Sequence, residues 1–274
     1  MALNNLVVRT LSGIVIAVVI IAAIVISKWT LLALSVVITV GAMHEFQKLA
    51  NKHTSPLNIL PIAGGVIFVI GFFLYYYDVL ELKYILLLLI FIVTIPVLEL
   101  FRKKPNPLEN IAVSFMGLIY IGLPMALLNC MGSVVDTSGE MGYNYLYPLG
   151  FTFLIWMNDV GAYMIGSTIG KNPLFPRISP NKSWEGFWGG FIITVAVGGV
   201  IGYLTRTDIH MWLSIASVAS LGGVAGDLIE SMFKREAGVK DSGKIIPGHG
   251  GFLDRFDAML IALPLVFIII KFFN

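Results

Sequence analysis

LNILPIAGGVIFVIGFFLYYY, Leu57 to Tyr77, runs for 21 residues without a charge. At about 1.5 Å of rise per residue, a helix of this length crosses the roughly 30 Å hydrocarbon core of a bilayer. No water is available there to satisfy backbone groups, so the segment must close its own hydrogen bonds, and a helix does so. The rest of the chain repeats the pattern. Eight further apolar segments read as helices: Leu11–Ser27, Trp29–Met43, Tyr84–Leu98, Ile111–Met131, Tyr145–Ile169, Gly186–Leu204, Met211–Glu230 and Ala258–Phe273. With 57% hydrophobic and 12% charged residues, the composition excludes an ordinary soluble domain. The sequence predicts an all-α polytopic membrane protein of about nine transmembrane helices.

Basic residues orient this array, because cytoplasmic loops favour Lys and Arg. With the N-terminus placed in the cytoplasm, fourteen of the 18 basic residues fall inside and four, Lys28, Lys83, Arg206 and Lys271, fall outside. Dropping any one helix inverts the parity downstream, so the expectation is nine helices with a cytoplasmic N-terminus. Arg9 ahead of the first apolar run resembles a signal peptide. The run is long for that role and no small-residue cleavage site follows, so it is expected to stay as a helix. The net charge of +2 and the lack of a basic arm give no sign of a nucleic-acid partner, and the lone Cys130 excludes a disulfide framework within one chain. Composition divides the chain into residues 1–131, about five helices with few polar groups, and residues 132–274, a membrane region with cytoplasmic loops 170–186 and 231–257 that is expected to be the catalytic part.

The chemistry-bearing residues lie in that second part. Asp159 and Asp227 sit within spanning segments, where an acid is costly unless it meets a partner, water or metal. Asp159 near a helix end could reach water. Asp227, Glu230, Ser231 and Lys234 recur on one helix face, either as a functional stripe or as a solvated end held by a Glu230–Lys234 pair. Between Glu230 and Asp257 lie ten of the 34 charged residues. Lys234, Arg235, Lys240 and Lys244 supply cations, while Gly238, Gly243, Gly248, Gly250 and Gly251 free backbone N–H groups to turn toward an anion. A phosphate-bearing ligand is the natural occupant. Asp254 and Asp257, three apart at the start of the last helix, suggest a divalent cation with oxygen ligands, magnesium first. Arg255 is placed to pair an acid or a phosphate. His249 is the one histidine in that loop, and Lys171, Arg177 and Lys182 make a second cationic loop. GSTIGKN, Gly166–Asn172, misses a phosphate-binding loop in spacing and lacks the Ser or Thr after lysine. Gly186/Gly190 and Gly222/Gly226 read as close helix packing.

SMFKREAGVKDSGKIIPGHGGFLDRFD, Ser231 to Asp257, resembles the signature of the CTP-dependent phosphatidate cytidylyltransferases, or CDP-diacylglycerol synthases. It has the serine, the Lys-Arg and Lys-Asp pairs, the HGG turn and the closing Asp-Arg-x-Asp. SPNKSWEG, Ser179–Gly186, resembles the family's second recurring segment. The resemblance implies transfer of a cytidylyl group from CTP to phosphatidic acid, with magnesium, by an all-helical protein of the cell (inner) membrane. It also implies a polar cavity open to cytoplasm and lipid, and often a homodimer. It maps metal-binding acids onto Asp227, Asp254 and Asp257, with a second cation held open. Lys234, Arg235 and Lys240 would neutralise phosphates, Gly248, His249, Gly250 and Gly251 would cradle them, and Asp241 would orient a lysine or join the metal shell. Ser179, Asn181, Lys182 and Ser183 are candidates for nucleotide or lipid phosphate.

Three rivals remain at this point. An ion-coupled secondary transporter would use Asp159 and Asp227, but usually shows internal repeats that are absent here. A CDP-alcohol phosphotransferase carries a D-G-x-x-A-R segment not found in this chain. A purely structural membrane protein has no need of this density of reactive residues.

Overall fold

The computed structural model describes residues 2–86, 89–135, 141–243, 245 and 250–273. Among the described residues, each of the nine expected segments overlaps a helix. Seven stretches among the described residues are long and apolar enough to cross a membrane: Lys28–Ala50, Ile59–Tyr76, Leu82–Arg102, Pro107–Cys130, Trp184–Thr205, Ile209–Glu236 and Leu253–Phe273. Two helices fall outside that set. The apolar part of the first, Thr10–Ile26, is shorter. The helix Leu146–Ile169 is long enough, but Asn158 and Asp159 near its middle lower its hydropathy. The protein is an all-α polytopic membrane protein, decorated by two small β-ribbons that the apolar pattern did not announce.

Contacts divide the chain elsewhere than composition does. One compact unit comprises Met1–Tyr145 with Glu236–Arg255, the other Leu146–Arg235 with Phe256–Asn274. The first unit contains α1 (Ala2–Ile26), α2 (Lys28–Ala50), α3 (Ile59–Tyr76), α4 (Leu82–Ile85), α5 (Leu89–Arg102), α6 (Pro107–Gly117) and α7 (Leu123–Cys130). Strands β1 (Ser133–Val135) and β2 (Met141–Tyr143) form an antiparallel ribbon. Ser27 starts α2 with a capping box. Its hydroxyl accepts from the Thr30 N–H, and the Thr30 hydroxyl accepts from the Ser27 N–H. Between α6 and α7 a π turn, Leu118–Gly122, precedes Pro124. Proline has no N–H and crowds the carbonyl one turn back, and a widened turn relieves both. The α2, α3 and α7 core is tight because glycines line it: a Cβ on Gly65 would stand 2.5 Å from the Met43 sulfur, and one on Gly122 would stand 3.3 Å from Gly65 Cα.

The second unit contains α8 (Leu146–Ile169), α9 (Trp184–Thr205), α10 (Ile209–Glu236) and most of α11 (Leu253–Phe273), with the ribbon of β3 (Pro173–Phe175) and β4 (Ser179–Ser183) between α8 and α9. Helices α8 and α9 meet along small residues. A Cβ on Gly190 would stand 2.8 Å from the Asn158 carbonyl, and one on Gly186 would stand 2.8 Å from the Ala162 carbonyl. Helices α10 and α11 do the same, with Gly222 against Ala262 and Gly226 against the Asp257 carbonyl. Both small-residue pairs expected to pack therefore do so. Trp212, fully buried, stacks on Tyr147 and donates its indole N–H to Thr207 at 2.7 Å.

Candidate active site

A cavity of about 520 Å³ opens in the second unit, lined by residues of α8, the ribbon, α9 and α10. Its polar wall comes from Asn158, Asp159, Asn181, Lys182, Ser183 and Asp227. Four sequence-predicted ligand residues, Asp159, Asn181, Lys182 and Ser183, and one predicted metal acid, Asp227, thus meet in one place. Lys182 forms an ion pair with Asp227, and the Ser231 hydroxyl donates to the other Asp227 oxygen at 3.3 Å. Ser183 caps α9, its hydroxyl accepting the Gly186 N–H at 3.1 Å. The N-terminus of that 22-residue helix therefore faces the cavity, and a helix N-terminus favours anions.

Glu185 ties the ribbon down. One carboxylate oxygen accepts the Lys171 and Asn172 N–H groups at 3.1 and 3.3 Å, and the other accepts the Asn172 amide at 2.7 Å. Arg235 donates to the Ile178 carbonyl at 3.3 Å, joining the end of α10 to the same ribbon. Ser179 lies at the far end of β4, opposite Phe175, and is not among the residues lining the cavity.

The other predicted metal acid of this unit, Asp257, arrives through a glycine. A Cβ on Gly226 would stand 2.3 Å from the Asp257 carbonyl oxygen, so only glycine lets α10 and α11 approach there. Asp227 is the next residue along α10. The close approach brings the half-buried Asp257 carboxylate within electrostatic range of Asp227, Lys234 and Asp159. Lys234 is itself ion-paired with the fully buried Glu230. Two expectations need correction here. Lys234 and Arg235 do not begin a loop, because α10 continues to Glu236, where the Glu230–Lys234 pair and the cations near the C-terminus suit a helix. The last helix begins at Leu253, not Ala258, so Asp254 and Asp257 lie in its first two turns.

The first unit holds the other part of the signature. Asp254 Oδ2 accepts the Gly251 N–H at 2.8 Å and the Ser242 N–H at 3.0 Å. The Gly251 N–H, expected to serve as a donor to phosphate, is engaged by this carboxylate in the structure. Gly250, at φ +83°, supplies the left-handed turn that lets the chain double back onto Asp254. Lys240, Asp241 and Arg255 are exposed. Gly248, His249 and Lys244 lie outside the described residues.

Sequence reading missed Glu45, which ended up beyond the expected end of its helix at Met43. In the structure α2 runs to Ala50 and Glu45 is 2% exposed. Glu45 Oε2 accepts the Leu253 N–H at 2.9 Å, and Ser242 Oγ lies 2.9 Å from both Glu45 Oε2 and Asp254 Oδ2. One hydroxyl hydrogen thus faces two carboxylates. Its signal was weak, because Glu45 lies beside His44, Gln47 and Lys48 and reads as a polar end just past the apolar run. Asn158, which accepts from Ser220 at 2.5 Å and lines the cavity, was overlooked beside the more conspicuous Asp159.

Among the described residues no three His, Cys, Asp or Glu side chains converge as a metal group. Asp227 and Asp257 form a pair, however, and magnesium commonly takes one or two carboxylates and completes its shell with water and substrate phosphates. Asp227 on the cavity wall, with Asp257 in electrostatic range of it, fits that donor set.

The cytidylyltransferase family profile matches residues 7–273, nearly the whole chain. The chain belongs to the cytidylyltransferase family. Among its relatives, this family member is 42% identical over 177 residues to a phosphatidate cytidylyltransferase of Staphylococcus epidermidis, covering 58% of this chain and 67% of the relative. It is 36% identical over 195 residues to that of Staphylococcus aureus, covering 70% of each. Against that of Staphylococcus saprophyticus it is 43% identical over 162 residues, 58% of each chain. The transporter alternative finds no support in a cytidylyltransferase match of this extent.

Proposed function

We infer that the protein is a phosphatidate cytidylyltransferase, transferring CMP from CTP to phosphatidic acid to give CDP-diacylglycerol and pyrophosphate. The observation that carries this reading is the assembly of Asp227, Lys182, Asn181 and the α9 N-terminus around one cavity among apolar helices, in a chain matched end to end by the family. One substrate is a lipid and the other a soluble polyanion, and a membrane-embedded site with a charged wall suits that combination.

In the reaction a phosphate oxygen of phosphatidic acid attacks the α-phosphorus of CTP, and the bond to the bridging oxygen of pyrophosphate breaks. A phosphomonoester's second pKa is about 6, so the nucleophile is ionised at neutral pH and needs no general base. The remaining task is to hold two polyanions together and to absorb charge on the leaving pyrophosphate. Lys182 and the α9 N-terminus offer positive potential on the cavity wall. Lys234, Arg235 and Lys240 are assigned to phosphate neutralisation. Asp227 and Asp257 would hold magnesium, with Asp254 assigned to the same function by the signature. When bound, the ion would offset triphosphate charge. The bias of basic residues supports a cytoplasmic site for this chemistry, where CTP is made available.

The test is turnover. Purified protein in mixed micelles is given labelled CTP and phosphatidic acid, and CDP-diacylglycerol formation is followed with and without EDTA. Product is expected, lost on chelation and restored by Mg²⁺. Folded protein that leaves CTP intact would sink the enzymatic reading, whereas turnover indifferent to EDTA would remove only the metal.

A further inference from the structure

We propose that Glu45 is a positioning residue for the reaction, a buried clamp that sets the start of α11 and the loop before it. The inference rests on the cytidylyltransferase reading. Three observations within the first unit point to it. The Glu45 side chain is buried in α2, yet its Oε2 reaches across the fold to the Leu253 N–H, the first residue of α11. It also meets the Ser242 hydroxyl, which touches Asp254 as well, so one contact chain links α2, the loop and the first acid of the signature. Finally, two described glycines of the loop, Gly243 and Gly251, close on this carboxylate. A Cβ on Gly243 would stand 2.1 Å from Glu45 Oε1, and one on Gly251 would stand 2.1 Å from Oε2. Glycine at both places is what admits the acid.

The choice of an acid for this position follows from the bonds it makes. A helix begins with N–H groups that have no partner in their own helix, and a carboxylate is the strongest side-chain acceptor for them. Glu45 serves Leu253 while Asp254 is occupied by Ser242 and Gly251. The first turn of α11 is thereby pinned from two sides, and the direction in which its acids project is fixed. Glu45 Oε1 makes no hydrogen bond, so a side chain with a single acceptor oxygen can take over both Oε2 contacts. Glu45 is not among the residues that line the cavity, and it acts as a positioning residue, not a catalytic one. Its effect is on geometry, where a displacement of about 1 Å costs up to about 100-fold in rate.

The experiment compares Glu45→Gln, Glu45→Leu, Gly243→Ala and the double variant Glu45→Ala/Gly243→Ala with wild type and Glu45→Ala. It measures kcat and amide hydrogen exchange by mass spectrometry on full-length protein in micelles. Glu45→Gln, which retains an acceptor, is expected to keep kcat within about threefold, while Glu45→Leu falls by about 10- to 100-fold. In Glu45→Leu, peptides covering residues 242–256 exchange faster and the other helices keep their protection, a pattern that general unfolding does not give. Gly243→Ala crowds the carboxylate and lowers kcat, but adds nothing once Glu45 is already alanine. Wild-type kcat in Glu45→Leu, or additive losses in the double variant, would overturn the proposal. If Glu45→Leu does not fold, Gly243→Ala decides: lowered kcat supports the clamp and unchanged kcat removes it. A wild-type protein inert toward CTP would defeat the functional reading alone, since exchange still reports whether Glu45 holds the loop.

Discussion

Asp257 shows how a residue's chemistry depends on a neighbour that is not in its own motif. In the sequence it closes an Asp-Arg-x-Asp signature. In the fold it is set beside Asp227, with Lys234 and Asp159 in range. Two carboxylates held together among apolar helices repel one another, and they are worth keeping only where a cation joins them. Asp257→Asn keeps the shape and removes the charge. It is expected to lower kcat by about 100-fold or more, the scale on which groups that stabilise transition-state charge act, while expression and membrane insertion stay normal. Retained turnover, measured with the same CTP assay, would take Asp257 out of the proposed metal site. Lys182 was legible as a cation in a stiff loop. Its ion pair with Asp227 was not, because the two residues lie 45 positions apart and nothing local in either segment encodes the contact.

Among elements, the decisive contacts are made by glycine. The spacing of Gly222 and Gly226 advertised a close helix crossing, and α10 and α11 indeed meet there. Spacing alone could not say which backbone would come so near. Because a Cβ at Gly226 would lie 2.3 Å from the Asp257 carbonyl, Gly226→Ala must push the helices apart. Overpacking of this kind costs about 1–3 kcal/mol. The variant is expected to melt at a lower temperature in detergent and to lose at least about tenfold in kcat, since the Asp227–Asp257 spacing changes with it. A normal melting temperature and normal kcat together would show that the crossing is not what sets the acids. Helix ends were read less well than helix middles. Terminal residues are held by capping and ion pairs, as in Glu230–Lys234 and Leu253–Glu45, and periodicity does not register those.

For the whole molecule, the outstanding physical question is orientation. The split of fourteen basic residues against four follows from the nine-helix topology expected from the sequence, and a direct measurement of sidedness tests it. A single cysteine at Arg177, an exposed position on the β3–β4 ribbon segment, is expected to react with a membrane-impermeant maleimide in inverted membrane vesicles and not in intact cells. The native Cys130 is buried and gives little background. Labelling of Arg177→Cys in intact cells would reverse the topology and move CTP binding to the wrong compartment.

The sequence by itself determined the class of protein, because 21 uncharged residues in a row admit few structures other than a membrane helix. It also determined the reaction family, because the Ser231–Asp257 signature gathers its phosphate- and metal-seeking residues within one short segment. Tertiary structure alone decided the partnerships: Lys182 with Asp227, Asp257 beside Asp227, and Glu45 with Ser242 and Leu253. Local pattern records which face of a helix is apolar and which residues are reactive. Where two distant backbones can come close enough for their side chains to meet is set by packing, here by the absence of a Cβ at Gly226, Gly243 and Gly251.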